Sequence, residues 1–185
     1  MRTTEFLQQI IQELQHSADV IPDEEAERAA EEILSAGKVF VTGAGRSGFM
    51  AQSFAMRLMH MGIDAYVLGE TVTPNFEAED ILIIGSGSGE TKGLVSVAEK
   101  ARSIGGVIAA VTLVPDSTIG NIADFTVTLP GATKDRSDSN HSTIQPMGSL
   151  FEQTLLLFYD AIILRVMEIK GLDTDKMYGK HANLE

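Results

Sequence analysis

Apolar residues recur at helical spacing from the start of the chain. Phe6, Leu7, Ile10, Ile11 and Leu14 line one side of a helix predicted over 3–17. Pro22-Asp23-Glu24-Glu25 opens a second helix, because proline fits the first turn and acids there suit the helix dipole; Gly37 ends it. The pattern then changes to short runs of β-branched and aromatic residues. Strands are predicted over 39–42, 65–68, 80–85, 107–113 and 124–129, with helices between them that end near Met61 and Ile104. These runs are continuously apolar, which is how strands covered on both faces of a parallel sheet read. Residues 131–145 are polar and predict a mobile loop. A last helix is predicted over 149–170, and its segment 155–164 is apolar nearly all round. Asp160 and Arg165 leave it too short and too interrupted to span a bilayer. A helix apolar on every side asks to be buried, and in a chain this small that predicts a homo-oligomer.

The strand–loop–helix alternation places the chain in the α/β class: a three-layer sandwich around a five-stranded parallel sheet. The N-terminal helices, 1–37, are expected to pack on a compact unit of 38–185.

Charge narrows the function. The chain has 26 acids against 14 lysines and arginines, a net charge of -12. Binding to nucleic acid through a basic face is not expected. An anionic ligand has to be held locally, by backbone N–H groups, hydroxyls and a few placed cations. There are no cysteines, which removes disulfides, thiolate nucleophiles and cysteine metal sites. The N-terminus lacks the apolar core of a signal peptide, so a cytoplasmic location is expected. The four histidines have no metal-ligand spacing, and no metal is expected.

Two glycine-rich loops follow strands one and three: Gly43-Ala44-Gly45-Arg46-Ser47-Gly48 and Gly85-Ser86-Gly87-Ser88-Gly89-Glu90-Thr91. Both fall at the edge where open parallel sheets bind ligands, and each leads into a helix N-terminus with unpaired donors. Ser47, Ser86, Ser88 and Thr91 add hydroxyls, and Arg46 a cation. The plainer alternative is that these residues turn the chain and cap helices, with Ser88 an N-cap and Glu90 a first-turn acid. The first loop also fits a dinucleotide fingerprint, with Glu70 at the end of strand two as a ribose-binding acid. An NAD-binding dehydrogenase is the rival reading, although it leaves the second loop unexplained.

The second loop resembles the phosphate loop of sugar isomerase (SIS) domains, a flavodoxin-like fold. More narrowly, four segments together resemble the 6-phospho-3-hexuloisomerase family. They are the first loop, Met56-Arg57-Leu58-Met59-His60-Met61-Gly62, Pro146-Met147-Gly148-Ser149-Leu150-Phe151-Glu152, and the tail His181-Ala182-Asn183-Leu184-Glu185. The resemblance implies interconversion of D-arabino-hex-3-ulose 6-phosphate and fructose 6-phosphate, in formaldehyde fixation by the ribulose monophosphate pathway. It also implies 3-hexulose-6-phosphate synthase as pathway neighbour, a homotetramer with sites near subunit contacts, and no cofactor. Substrate would be bound by Ser47, Ser86, Gly87, Ser88, Gly89, Glu90 and Thr91, with Glu152 as the proton-transferring base. A non-catalytic sugar-phosphate sensor on the same scaffold is a further alternative, because fold does not fix function.

Moving a carbonyl from C3 to C2 through a 2,3-enediol requires a base and formally no metal or hydride acceptor. In the reverse direction the cyclic fructose 6-phosphate benefits from an acid near its ring oxygen. His181 or His60 can serve, and the sequence does not choose between them. Glu152 has a plain alternative, since Ser149-Leu150-Phe151-Glu152 has the spacing of a capping box. His16 reads as a surface residue, and His141, Lys134 and Arg136 as solvated loop positions.

Overall fold

A computed structural model describes residues 1–131, 143–181, 183 and 184. Lys134, Arg136, His141 and most of the polar 131–145 segment lie outside the described residues, as do Ala182 and Glu185 of the tail. The elements run α1 Thr3–Ala18, α2 Asp23–Ser35, β1 Val39–Gly43, α3 Arg46–His60, β2 Ala65–Val67 and β3 Ile81–Gly85. They continue with α4 Lys92–Ile104, β4 Val107–Thr112, α5 Thr118–Ile122, β5 Phe125–Thr128, α6 Ser149–Lys170 and α7 Thr174–Tyr178.

The five strands form one sheet in the order β2-β1-β3-β4-β5, every pair parallel. Side chains alternate between its faces with the period of two that a strand imposes. Val39, Val41, Ile81, Ile83, Ala109, Val111, Phe125 and Val127 point to one side, where they meet Ile33 of α2, Phe54 and Leu58 of α3 and Leu155 of α6. Phe40, Leu82, Ile84, Ile108 and Ala110 point to the other, against Leu94 and Ala98 of α4 and Ile119 of α5. Both faces are therefore dry, which accounts for strands without polar alternation. The result is the expected three-layer α/β sandwich. Helices α1 and α2 pack against α6, and α2 also against β5.

The amino edge of the sheet is closed by a structural acid. Asp80, fully buried, accepts the backbone N–H groups of Lys38 (2.9 Å) and Glu77 (2.8 Å) and pairs with Lys38 Nζ at 3.1 Å.

Several local expectations are corrected. β2 ends at Val67, and Glu70 lies beyond it in an exposed turn rather than at the strand end. Two five-residue helices, α5 and α7, were not expected, because one turn and a half is too short to show a helical period. α4 starts at Lys92 with Thr91 at its N-cap, so neither Ser88 nor Glu90 caps it or sits in its first turn. α6 starts at the expected residue, but its N-cap is Gly148 and no side chain caps it. The capping box at Ser149 and Glu152 is absent, and both side chains point elsewhere. Within a single copy of the chain, α6 keeps Phe158 and Ile162 inside and leaves Leu157 and Leu164 half or more exposed.

Candidate active site

Gly43 and Gly85 are partners on the last rung shared by β1 and β3. The two loops that follow therefore leave the sheet side by side. β2 lies on one side of β1 and β3 to β5 on the other, so the chain reverses its winding direction between β1 and β3. The crevice outside the carboxyl ends of the strands at such a reversal is where open α/β sheets bind ligands.

The first loop is short because glycine lets it be. A Cβ on Gly43 would lie 2.8 Å from the Ser47 carbonyl carbon, and one on Gly48 2.8 Å from the Gly43 carbonyl oxygen. Without those side chains, α3 starts directly on the end of β1. Ser47 is buried at that start and Arg46 is exposed. Arg46 reaches across to α6, where its Nη1 donates to Ser149 Oγ at 2.9 Å and pairs with Glu152 Oε2 at 3.0 Å. Ser149 and Glu152 are themselves buried, on the first turn of α6. One guanidinium thus ties the first loop to the acid expected to act as base.

In the second loop, Gly89 adopts a positive φ of 63° and its N–H donates to Ser86 Oγ at 3.2 Å. A Cβ at Gly89 would fall 1.9 Å from Ser117 Oγ, so only glycine fits there. Ser88 Oγ accepts the Glu90 N–H at 3.2 Å. Each serine oxygen accepts from the loop itself, which leaves each O–H hydrogen to donate outward. Ser86 is buried at the base of the loop, while Ser88 and Thr91 are exposed at its rim. The first N–H groups of α4 follow without intrahelical partners. The arrangement suits an anion.

Glu90 reaches the start of α5, where its carboxylate accepts the Thr118 backbone N–H and hydroxyl, each at 2.7 Å. These bonds hold its pKa below the ordinary carboxylate value. The two candidate histidines come together, but not with Glu152. Their rings stack with centroids 5.4 Å apart. His60 is buried at the last residue of α3, thirteen residues beyond Ser47, and so about 20 Å along the helix. Arg57, Asp160 and Tyr178 join the pair around a separate cavity of about 450 Å³. Burial, then the electrostatic influence of Arg57 and His181, push the His60 pKa down.

Residues 32–157 match the SIS domain family. The chain belongs to that family. It is 57% identical over 185 residues, the whole of both chains, to a 3-hexulose-6-phosphate isomerase of Bacillus subtilis (strain 168). A 3-hexulose-6-phosphate isomerase of Mycobacterium gastri is 40% identical over 98% of this chain and 91% of its own. Among solved structures, a hypothetical protein of Methanococcus jannaschii superposes with a TM-score of 0.84 at 34% identity, covering 98% of this chain and 99% of that one. A molecular function of 3-hexulose-6-phosphate isomerase is inferred for it.

The sequence shows Arg46 as a cation near Ser47 and Ser149 as a capping-box residue, with nothing to link the two. The available signal was a guanidinium placed inside a glycine-rich turn of a strongly acidic chain.

Proposed function

We propose that this chain interconverts D-arabino-hex-3-ulose 6-phosphate and D-fructose 6-phosphate. The observation that carries the reading is Glu152, buried and held by Arg46, beside a serine-rich loop at the carboxyl edge of the sheet. The likeness to named isomerases over the full chain supports the same substrate class.

In this reading the phosphate sits on the second loop, against the Ser86 and Ser88 hydroxyls, the loop amides and the start of α4, with Ser47 and Thr91 at its margins. Glu152 removes the proton from C2 of the 3-ulose, and the electrons of that C–H bond form the C2–C3 double bond of the enediolate as the C3 carbonyl becomes an oxyanion. The protonated Glu152 returns a proton to C3 while the O2 proton passes to the O3 oxyanion, which leaves the carbonyl at C2 and a hydroxyl at C3. Arg46 stands beside the base, where it can stabilise the charge that develops on the sugar oxygens.

Among the described residues, His60 and His181 stack together at the far end of α3 from the first loop, so either of these two serves ring opening at Glu152 only from another copy of the chain. The exposed apolar side chains of Phe6, Leu7, Ile11, Leu157 and Leu164 support such an assembly, which we take to be a homotetramer. The reaction then belongs to formaldehyde fixation by the ribulose monophosphate pathway, in the cytoplasm, downstream of 3-hexulose-6-phosphate synthase.

The test is isomerisation of the 3-ulose phosphate in D2O, read as fructose 6-phosphate by a coupled assay and by NMR. Turnover with deuterium at C3 is expected. Tight binding without turnover would make the chain a sensor, and failure to form fructose 6-phosphate at all would remove the isomerase reading.

A further inference from the structure

Glu13, on α1, gathers a distant piece of chain. Its Oε2 accepts the Thr143 hydroxyl at 2.7 Å and the Gln145 side-chain amide at 2.9 Å, and its Oε1 accepts the Ile144 backbone N–H at 2.8 Å. Thr143 Oγ1 in turn accepts the Gln145 backbone N–H at 3.0 Å, and Gln145 is buried. Three consecutive residues are thus clamped by one carboxylate some 130 positions away. Four residues after Gln145 comes Ser149, and seven after it Glu152.

The chain between clamp and helix is a tight turn. Met147 has φ 55°, the left-handed conformation that residues with side chains seldom adopt. The Ser149 N–H donates to the Pro146 carbonyl at 3.2 Å, and Gly148 caps α6 without a side-chain bond. A turn of this kind, ahead of an uncapped helix, keeps its shape only if both flanks are held. Arg46 holds the far flank through Ser149 and Glu152; Glu13 holds the near one.

We infer that Glu13 is a positioning residue for the isomerase: it fixes the turn that aims Glu152. The inference rests on Glu152 as the base. It ascribes a functional part to α1, which lies outside the 32–157 stretch shared with SIS domains. The carboxylate suits the task. Burial pushes its pKa up, but the bonds from Gln145, Thr143 and Ile144 outweigh this and leave it below the ordinary value.

The test compares Glu13→Gln, the swap Glu13→Gln with Gln145→Glu, and Glu152→Gln, each in the full chain, by steady-state kinetics, melting and amide exchange. Glu13→Gln sets two amide groups against each other at the Gln145 contact. Loosened aim is expected to lower kcat about tenfold, with KM and Tm little changed and faster exchange on the first turn of α6. The swap restores a donor–acceptor pair at that contact and is expected to recover most of kcat, which a general stability role does not explain. A folded Glu13→Gln enzyme with wild-type kcat, beside an inactive Glu152→Gln, overturns the anchor alone. An active Glu152→Gln enzyme removes the base and with it the purpose of the anchor. Should Glu13→Gln fail to fold, Gln145→Leu removes a single bond of the clamp; an unchanged kcat there overturns the inference, and a reduced kcat at unchanged KM supports it.

Discussion

Arg46 and Glu152 are 106 positions apart in the chain and 3.0 Å apart in the fold. The same guanidinium nitrogen holds Ser149 at 2.9 Å, so the start of α3 and the start of α6 are locked across the carboxyl edge of the sheet. The contact fixes where the Glu152 carboxylate sits, which is what the proposed base needs.

Arg46→Ala is therefore expected to lower kcat by roughly a hundredfold, the scale of losing one preorganised stabiliser of a developing oxyanion. Arg46→Lys keeps the charge but not the length and planar geometry that bring one nitrogen to both acceptors, and should fall between. Steady-state kinetics on the 3-ulose phosphate check both.

Ser88 is exposed at the loop rim and its oxygen accepts only a local N–H, so Ser88→Ala should leave folding intact and mainly raise KM. Ser86 is buried and its oxygen accepts the Gly89 N–H, so Ser86→Ala should raise KM and also lower Tm. Kinetics paired with melting curves separate the two.

Gly43→Ala places a methyl group 2.8 Å from backbone that cannot swing aside. A cost of about 1–3 kcal/mol is expected from the overpacking, seen as a lower denaturant midpoint. Activity should fall with it, because α3 carries Arg46 and Ser47.

His60 gives a pH-dependent stability of defined sign. Its pKa in the fold lies below the ordinary 6.5, through burial first and then Arg57 and His181. Below pH 6.5 the unfolded chain takes up this proton before the folded one does, so stability falls as pH drops from 6.5 through the folded value. Above 6.5 the contribution is fully present. Denaturation midpoints at several pH values should show this slope, and His60→Gln should flatten it.

The strands were legible because a buried parallel strand carries its signal in five or six consecutive residues. β1, β3 and β4 were each placed to within a residue or so, and α6 was placed at both ends. The two glycine-rich loops were legible for the same local reason. What local pattern could not show is what side chains do at a distance. Ser149 and Glu152 have the spacing of a capping box, yet Arg46 draws on both. Glu90 reads as a helix-start acid or a substrate ligand, yet it holds Thr118. Glu13 sits in an ordinary amphipathic helix and gives no sign of the segment it clamps.

The most direct measurement is the turnover of Glu152→Gln on D-arabino-hex-3-ulose 6-phosphate. The substitution keeps the side chain's size and one acceptor for Arg46 but removes the carboxylate proposed to take the C2 proton. A fall in kcat of at least about a hundredfold at unchanged Tm is expected, on the scale of a lost general base. A folded Glu152→Gln enzyme turning over at the wild-type rate would contradict the account.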